Sequence, residues 1–323
     1  MSTYELTPCP ICGGRECTEL AGRDQIRSDV ERLWAFHERR LRGDTPPASL
    51  ADRVVFSQHP PLRLVQCDRC AHVYRNPWER RESLASAYRS DAPSDEILRA
   101  LLETQRVTFS AQARRLRRFV GAAGRGLEVG SYVGGFLAAA RDVGWAFEGV
   151  DLSQRVVRFA AGAGFDVIHS EIEQVGGSKR YDAITIWNTF EQLYDSHAVL
   201  AAVRRLLKPR GVFVVRVPNG RFYVRWRARL RGPLATIAER LLVHNNLLSF
   251  PYRQAFSDSS MHRLLADNGL AIEHVFGDTL VPIADQWTTQ IGAVEERVVK
   301  RLERLTQRGW RAPWVEVYAR QSP

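Results

Sequence analysis

The stretch that most constrains this chain is Gly126 to Phe136, GLEVGSYVGGF. A short apolar strand, Leu127 and Val129 flanking the acid Glu128, runs into a turn that carries Gly130, Gly134 and Gly135. A helical run, Phe136 to Arg141, follows at once. Glycine is needed where the backbone must turn tightly and let a ligand come close. Strand, glycine turn and helix form the first βα unit of a doubly wound sheet, and such sheets bind ligands at their carboxyl edge. The next strand, Trp145 to Val150, ends in Asp151. It lies roughly 20 residues past the turn, where an acid accepts both hydroxyls of a ribose.

Two nucleoside cofactors carry such a ribose: a dinucleotide and S-adenosylmethionine. The dinucleotide fingerprint is G-x-G-x-x-G, with glycines that admit a pyrophosphate. Here the spacing is Gly130-x-x-x-Gly134, and bulky Tyr132 stands where the second glycine would be. Glu128 adds a negative charge that suits a cationic amino-acid moiety and opposes a pyrophosphate. The stretch resembles the first motif of class I S-adenosylmethionine-dependent methyltransferases, E/D-x-G-x-G-x-G followed by Phe-Leu, with Tyr132 as a departure. The resemblance runs from about Leu127 to Phe276. It implies an α/β fold, a doubly wound, mostly parallel seven-stranded Rossmann-like sheet. It also implies a cofactor site drawn from Glu128, Gly130, Ser131, Tyr132, Gly134, Phe136, Asp151, Leu152, Glu171, Ile172 and Asn188. In that family the loop of Glu171 and Ile172 holds the adenine. The family usually has Glu-His at 191 and 192, whereas this chain has Glu191-Gln192. The turn Leu207-Lys208-Pro209-Arg210-Gly211 matches the family's L-K-P-G-G, and Gly211 is expected to end the helix before it.

The N-terminal segment carries a second signal. Cys9-Pro10-Ile11-Cys12 and Cys67-Asp68-Arg69-Cys70 are two C-x-x-C knuckles. Each places two thiolates on one metal, and together they complete a tetrahedral four-sulfur zinc site with no open position. Such a site is structural. With four of the five cysteines used this way, a disulfide framework is disfavoured. Cys17 is left as an ordinary thiol, and His59 and His72 have no place as ligands. The run from Leu64 to Pro77 resembles the zinc-ribbon leader of bacterial methyltransferases of the "methyltransferase domain 23" type. A helix is expected over Asp24 to Arg42.

The remaining chain divides accordingly. Residues 1–90 read as a zinc ribbon with a helical insert, 91–120 as a linker helix, and 121–323 as the cofactor domain with a substrate-side insertion at about 218–256. Ser153 is a plausible N-cap for the helix after Asp151. Within the insertion, Arg221 to Arg231 interleaves arginine with Phe222, Tyr223 and Trp226. This pattern suits a lid helix, a phosphate-bearing ligand or an anionic membrane surface. His244 has the ordinary pKa of a general base near neutral pH, and Tyr252 is placed to orient a substrate. These two are the candidate catalytic residues.

The chain of 323 residues has a formal net charge of +10, almost all of it arginine, since Lys179, Lys208 and Lys300 are its only lysines. Codon bias and an acidic partner explain this equally well. No apolar run is long enough to span a membrane, and no apolar signal core is seen, so a cytoplasmic protein is expected. The expected activity is methyl transfer from S-adenosylmethionine to a small-molecule or glycan-precursor acceptor, on oxygen, nitrogen or carbon. Two readings compete with it. One is RNA methylation, suggested by charge and ribbon but lacking an Asn-Pro-Pro-aromatic motif and a thiol nucleophile beyond Cys17. The other is a non-catalytic cofactor-binding module. The sequence is silent on oligomeric state.

Overall fold

The computed structural model describes residues 4–45, 63–81, 94–248, 253–280, 287–306 and 308–322. The N-terminal part is built from β1 (Tyr4–Glu5), β2 (Cys17–Ala21), α1 (Arg23–Glu38), β3 (Arg63–Cys67), β4 (Val73–Asn76) and β5 (Trp78–Glu79). Strands β2, β3 and β4 pair antiparallel, and β1 pairs with β5. Helix α1 buries Ile26, Leu33 and Phe36 along one side. It stops at Glu38, short of Arg42, and the chain then bridges from Leu41 to Thr288.

Helix α2 (Asp95–Val120) leads into the main sheet. Its ends obey local rules. The Ser94 hydroxyl accepts from the Ile97 amide, Asp95 and Glu96 sit in the first turn, and Arg117 and Arg118 sit in the last. Gly121 at φ 82° closes it in the left-handed region. The elements that follow are β6 (Arg125–Val129), α3 (Gly135–Arg141), β7 (Ala146–Asp151), α4 (Gln154–Gly162), β8 (Val167–His169), β9 (Tyr181–Trp187), α5 (Ser196–Leu206) and β10 (Leu207–Pro218). After them come α6 (Gly220–Arg227), α7 (Ala235–His244), β11 (Gln254–Ala255), α8 (Asp258–Asp267), β12 (Leu270–Asp278), α9 (Gln290–Thr306) and β13 (Trp314–Gln321).

The seven-stranded sheet has the order β12-β13-β10-β9-β6-β7-β8. Strands β6 to β10 run parallel to one another, and β13 lies antiparallel between β10 and β12. The central strands are apolar on both faces because helices cover both. On one side Val199, Leu200, Val203, Met261 and Leu264 of α5 and α8 pack on Ile184, Ile186 and Val215. On the other, Phe109, Leu116, Phe136 and Ala139 of α2 and α3 pack on Ala183, Trp187 and Val214.

Two local expectations are corrected. Helix α5 passes straight into β10 at Leu207, and Gly211 lies inside that strand without a left-handed φ. A Cβ there would stand 2.7 Å from Leu207 Cδ1, so its glycine answers to close packing in an irregular register and not to a helix stop. The Ser153 side chain makes no capping bond; its amide instead donates to Asp151 Oδ1 at 2.9 Å.

The insertion after β10 does not stand apart from the N-terminal part. Strand β11 pairs antiparallel with β4, Gln254 opposite Tyr74 and Ala255 opposite Val73. It supplies the fourth strand of the sheet that β2, β3 and β4 begin. The cysteine-bearing segment is thereby seated on the loops at the carboxyl edge of the main sheet. Cys9, Ile11 and Trp78 share one apolar core with Ile172, Phe190 and Phe256.

Candidate active site

Strand β6 delivers Glu128 to the carboxyl edge, and the turn after it folds back on β7. The amides of Gly130 and Ser131 donate to the Val150 carbonyl at 2.8 and 3.3 Å. Gly130 sits at φ 71°, and a Cβ there would lie 2.5 Å from Thr189 Oγ1. Gly134 sits at φ 83°, with Phe165 Cδ2 2.8 Å from where a Cβ would be. Both conformation and space therefore demand glycine. Tyr132 is itself left-handed at φ 47°, so the chain keeps the turn that the missing glycine would make. Its amide donates to Asp151 Oδ2 at 3.0 Å.

This turn holds polar atoms that nothing described satisfies. Glu128 is buried, and its Oε2 has no hydrogen-bond partner among the described residues; the same holds for Ser131 Oγ. Burial, and then the charge of Asp151, push the Glu128 carboxyl well above its usual range. Asp151 is also raised by burial, against the amides of Ser153 and Tyr132 that favour its charge. A buried acid without a partner is costly unless a ligand supplies the missing donor or charge. The donor set fits the amino-acid and ribose parts of S-adenosylmethionine: an orphaned carboxylate for an ammonium, and an amide-held aspartate for a diol.

A model of the methyltransferase domain family matches residues 87–275. The chain belongs to this methyltransferase family. No curated protein matches it. Among solved structures, an S-adenosylmethionine-dependent methyltransferase from Archaeoglobus fulgidus is similar at 17% identity and TM-score 0.43, covering 67% of this chain and 94% of that one. Magnesium protoporphyrin IX methyltransferase from Synechocystis PCC 6803, with bound S-adenosylhomocysteine, is similar at 13% identity and TM-score 0.42, covering 75% and 94%. A glycopeptide N-methyltransferase complexed with sinefungin is similar at 14% identity and TM-score 0.44, covering 66% and 87%.

The other expected site residues of the methyltransferase fall in three places. Leu152 is exposed beside Asp151. Glu171 spends its carboxylate on Arg81 at 2.7 Å, and Ile172 is buried in the main core. Phe136 is a correction. It is fully buried against Phe147 and Trp187, with ring centroids 5.1 and 5.0 Å away, and anchors α3 from below rather than lining the edge. Its position at the start of α3 turns it toward the sheet.

Asn188 ends β9 at φ 54°, and its Oδ1 accepts from Arg216 Nη1 at 2.5 Å. Arg216 was not anticipated, although a lone arginine inside Val212-Phe213-Val214-Val215-Arg216-Val217 was a visible signal. It is fully buried and pairs through Nε with Asp278 Oδ2 at 2.8 Å. Burial disfavours the Asp278 charge, but Arg216 and the Thr279 amide outweigh it and hold the carboxyl below its usual range. Gln112 of α2 donates to the same Asp278 oxygen at 3.1 Å, and Arg115 pairs with buried Glu316 at 2.5 Å. Burial, then Asp278, raise Glu316 to about 7. Beside this network Glu191 is wholly buried with both carboxylate oxygens unpartnered among the described residues, and burial raises it to about 8 against the pull of Arg216.

The candidate base fails its expectation. His244 lies between α1 and α9, packed edge-on to Phe36 at 4.8 Å and 3.5 Å from Glu295. Burial, then the charges of Arg40 and Lys300, lower it to about 3. Tyr252 lies outside the described residues, as does His59.

The four cysteines converge. The sulfurs of Cys9, Cys12, Cys67 and Cys70 lie within 4.8 Å of one another, with Cys9 to Cys70 at 3.6 Å and Cys12 to Cys67 at 3.5 Å. Thiolates about 2.3 Å from a tetrahedral zinc stand about 3.8 Å apart, so the spacing fits. Around the second knuckle, the Cys70 carbonyl accepts from Ser257 and Ser259 hydroxyls at 3.2 and 2.9 Å. Buried His72 bonds through Nε2 to Gln254 Oε1 at 3.0 Å, and Gln254 Nε2 donates to Ser196 Oγ at 3.2 Å. His72 is thus a link to β11 and no ligand.

Proposed function

We propose that this methyltransferase transfers a methyl group from S-adenosylmethionine to a small-molecule or glycan-precursor acceptor at the carboxyl edge of the main sheet. The observation that carries the reading is the buried Glu128 carboxyl, its Oε2 unpartnered among the described residues, on a turn whose glycines 130 and 134 hold left-handed backbone. Glu128 would accept from the cofactor's ammonium, Gly130, Ser131 and Gly134 would pass beneath it, and Asp151 would take the ribose hydroxyls. When bound, the cofactor supplies an electrophilic sulfonium methyl. The chain's own contribution is alignment, which for a well-held pair is worth roughly 7–11 kcal/mol. The cysteine cluster would hold a structural zinc that orders a segment too small to fold on its own core.

The surroundings favour a small acceptor over an extended nucleic acid. The cysteine-bearing segment walls the edge: Arg81 pairs with Glu171, and Arg253 sits 4.4 Å over Trp78 and 5.5 Å over Tyr194. Many exposed arginines are spent on local acids, as in Arg106–Asp142 at 2.9 Å and Arg155–Asp95 at 2.8 Å.

The test is a thermal shift with S-adenosylhomocysteine beside Asp151→Ala. Ligand at about 100 times its Kd stabilises by roughly 2.7 kcal/mol. The expected result is a shift that the variant loses; no shift in the folded, zinc-loaded protein overturns the reading. Tight RNA binding with a steep salt dependence would move the acceptor class to nucleic acid.

A further inference from the structure

Helix α9 is built inside out. Three of its charged residues face the protein. Glu296 pairs with Arg40 at 2.7 Å, Lys300 donates to the His244 carbonyl at 2.6 Å, and Glu303 accepts from Asn245 at 2.6 Å. Glu296, Lys300 and Glu303 are all buried. Its apolar residues face out: Ile291 is 84% exposed, Val294 54% and Val298 52%. They recur at helical spacing on one stripe. Leu302, 56% exposed, continues the stripe, and Arg297 and Arg301 are exposed beside it. Its nearest acid, Glu295, is half-buried and directed at Arg40 and His244.

A helix that hides its ion pairs and shows its valines has its apolar face set for a partner. The charges on the face identify that partner. Every exposed charge named on it is a guanidinium. A second copy meeting it about a twofold axis would set Arg297 and Arg301 against the same arginines, with no acid on the stripe to pair them. An anionic lipid surface suits both components. The apolar side chains enter the boundary of the acyl region, and the arginines reach the phosphates.

We propose that the outer face of α9 docks this protein on an anionic lipid surface. Docking lies apart from the cofactor turn and holds whichever acceptor is methylated. The experiment is co-sedimentation of the full chain with vesicles of phosphatidylcholine alone, or with about one-third phosphatidylglycerol, at low and high salt. The protein should pellet with the anionic vesicles and be released by salt. Val294→Asp/Val298→Asp should weaken partitioning at least tenfold. Arg297→Glu/Arg301→Glu should weaken it by about tenfold or more as well, since each cation near such a surface counts for roughly fivefold. Both variants should keep the wild-type thermal midpoint and S-adenosylhomocysteine affinity, since all four positions are exposed. Failure of the wild type to pellet, or unchanged pelleting of the folded variants, overturns the proposal. So does sedimentation velocity showing a wild-type dimer that Val294→Asp/Val298→Asp dissociates, which would assign the face to a second copy.

Discussion

Replacing Glu128 by Gln should move stability and ligand affinity in opposite directions. In the ligand-free protein the Glu128 carboxyl is buried, its Oε2 is unpartnered, and its folded-state pKa is raised well above the unfolded value by burial and by Asp151. A raised acid leaves stability intact below the unfolded pKa and erodes it as pH climbs toward the folded one. Each unit of separation is worth about 1.4 kcal/mol. Glutamine has the same shape and no proton to lose. Glu128→Gln should therefore match the wild type near pH 4.5 and exceed it progressively above, with each kcal/mol seen as roughly 2–4 °C in Tm. Cofactor binding should suffer in the same variant. A charge-assisted bond to an ammonium contributes about 1.5–3 kcal/mol, so S-adenosylhomocysteine affinity should fall roughly 10- to 150-fold. Scanning calorimetry from pH 5 to 9 and isothermal titration at pH 7.5 measure the two arms. A variant that is less stable than wild type at pH 8 and binds S-adenosylhomocysteine equally well would refute the reasoning, because Glu128 would then be an ordinary core acid.

Two further predictions rest on local geometry. Gly130→Ala meets a left-handed φ and Thr189 Oγ1 at 2.5 Å, so stability should drop by at least about 1–2 kcal/mol from the backbone alone, with cofactor affinity falling as the turn shifts; calorimetry and titration both read it. Chelating the metal, or replacing Cys70 by Ser, should release about one zinc per chain in a colorimetric assay and lower Tm by several degrees. Because Ser257, Ser259 and β11 hang on the second knuckle, hydrogen exchange should quicken at Gln254 to Ser260 as well as within the knuckles. Loss confined to the knuckles would show that the two parts are not coupled.

Much of this molecule can be read from local pattern. The glycine turn, the acid before it and Asp151 after it announce the first two strands, because a left-handed turn from strand to helix leaves few other residue choices. The paired C-x-x-C knuckles announce their own convergence, since no other use of four such cysteines is as economical. The helix ends at Ser94, Gly121 and Ser257 follow from capping chemistry within a few residues. What local pattern does not give is the packing around single side chains. His244 looked like a base until α1 and α9 closed over it, and Phe136 looked like a cofactor contact until Phe147 and Trp187 surrounded it.

By itself, then, the sequence determined the βα succession, the cofactor turn and the four-cysteine set, all of which depend on short-range geometry and residue type. Only the tertiary structure decided that the cysteine-bearing sheet takes a strand from residues 254–255, that Arg216 and Asp278 meet beneath the edge, and that α9 buries Glu296, Lys300 and Glu303. The physical reason is that pKa, partner and exposure belong to the surroundings. A buried ion pair or an outward valine is set by chain segments that can lie two hundred residues away, and no local window holds that information.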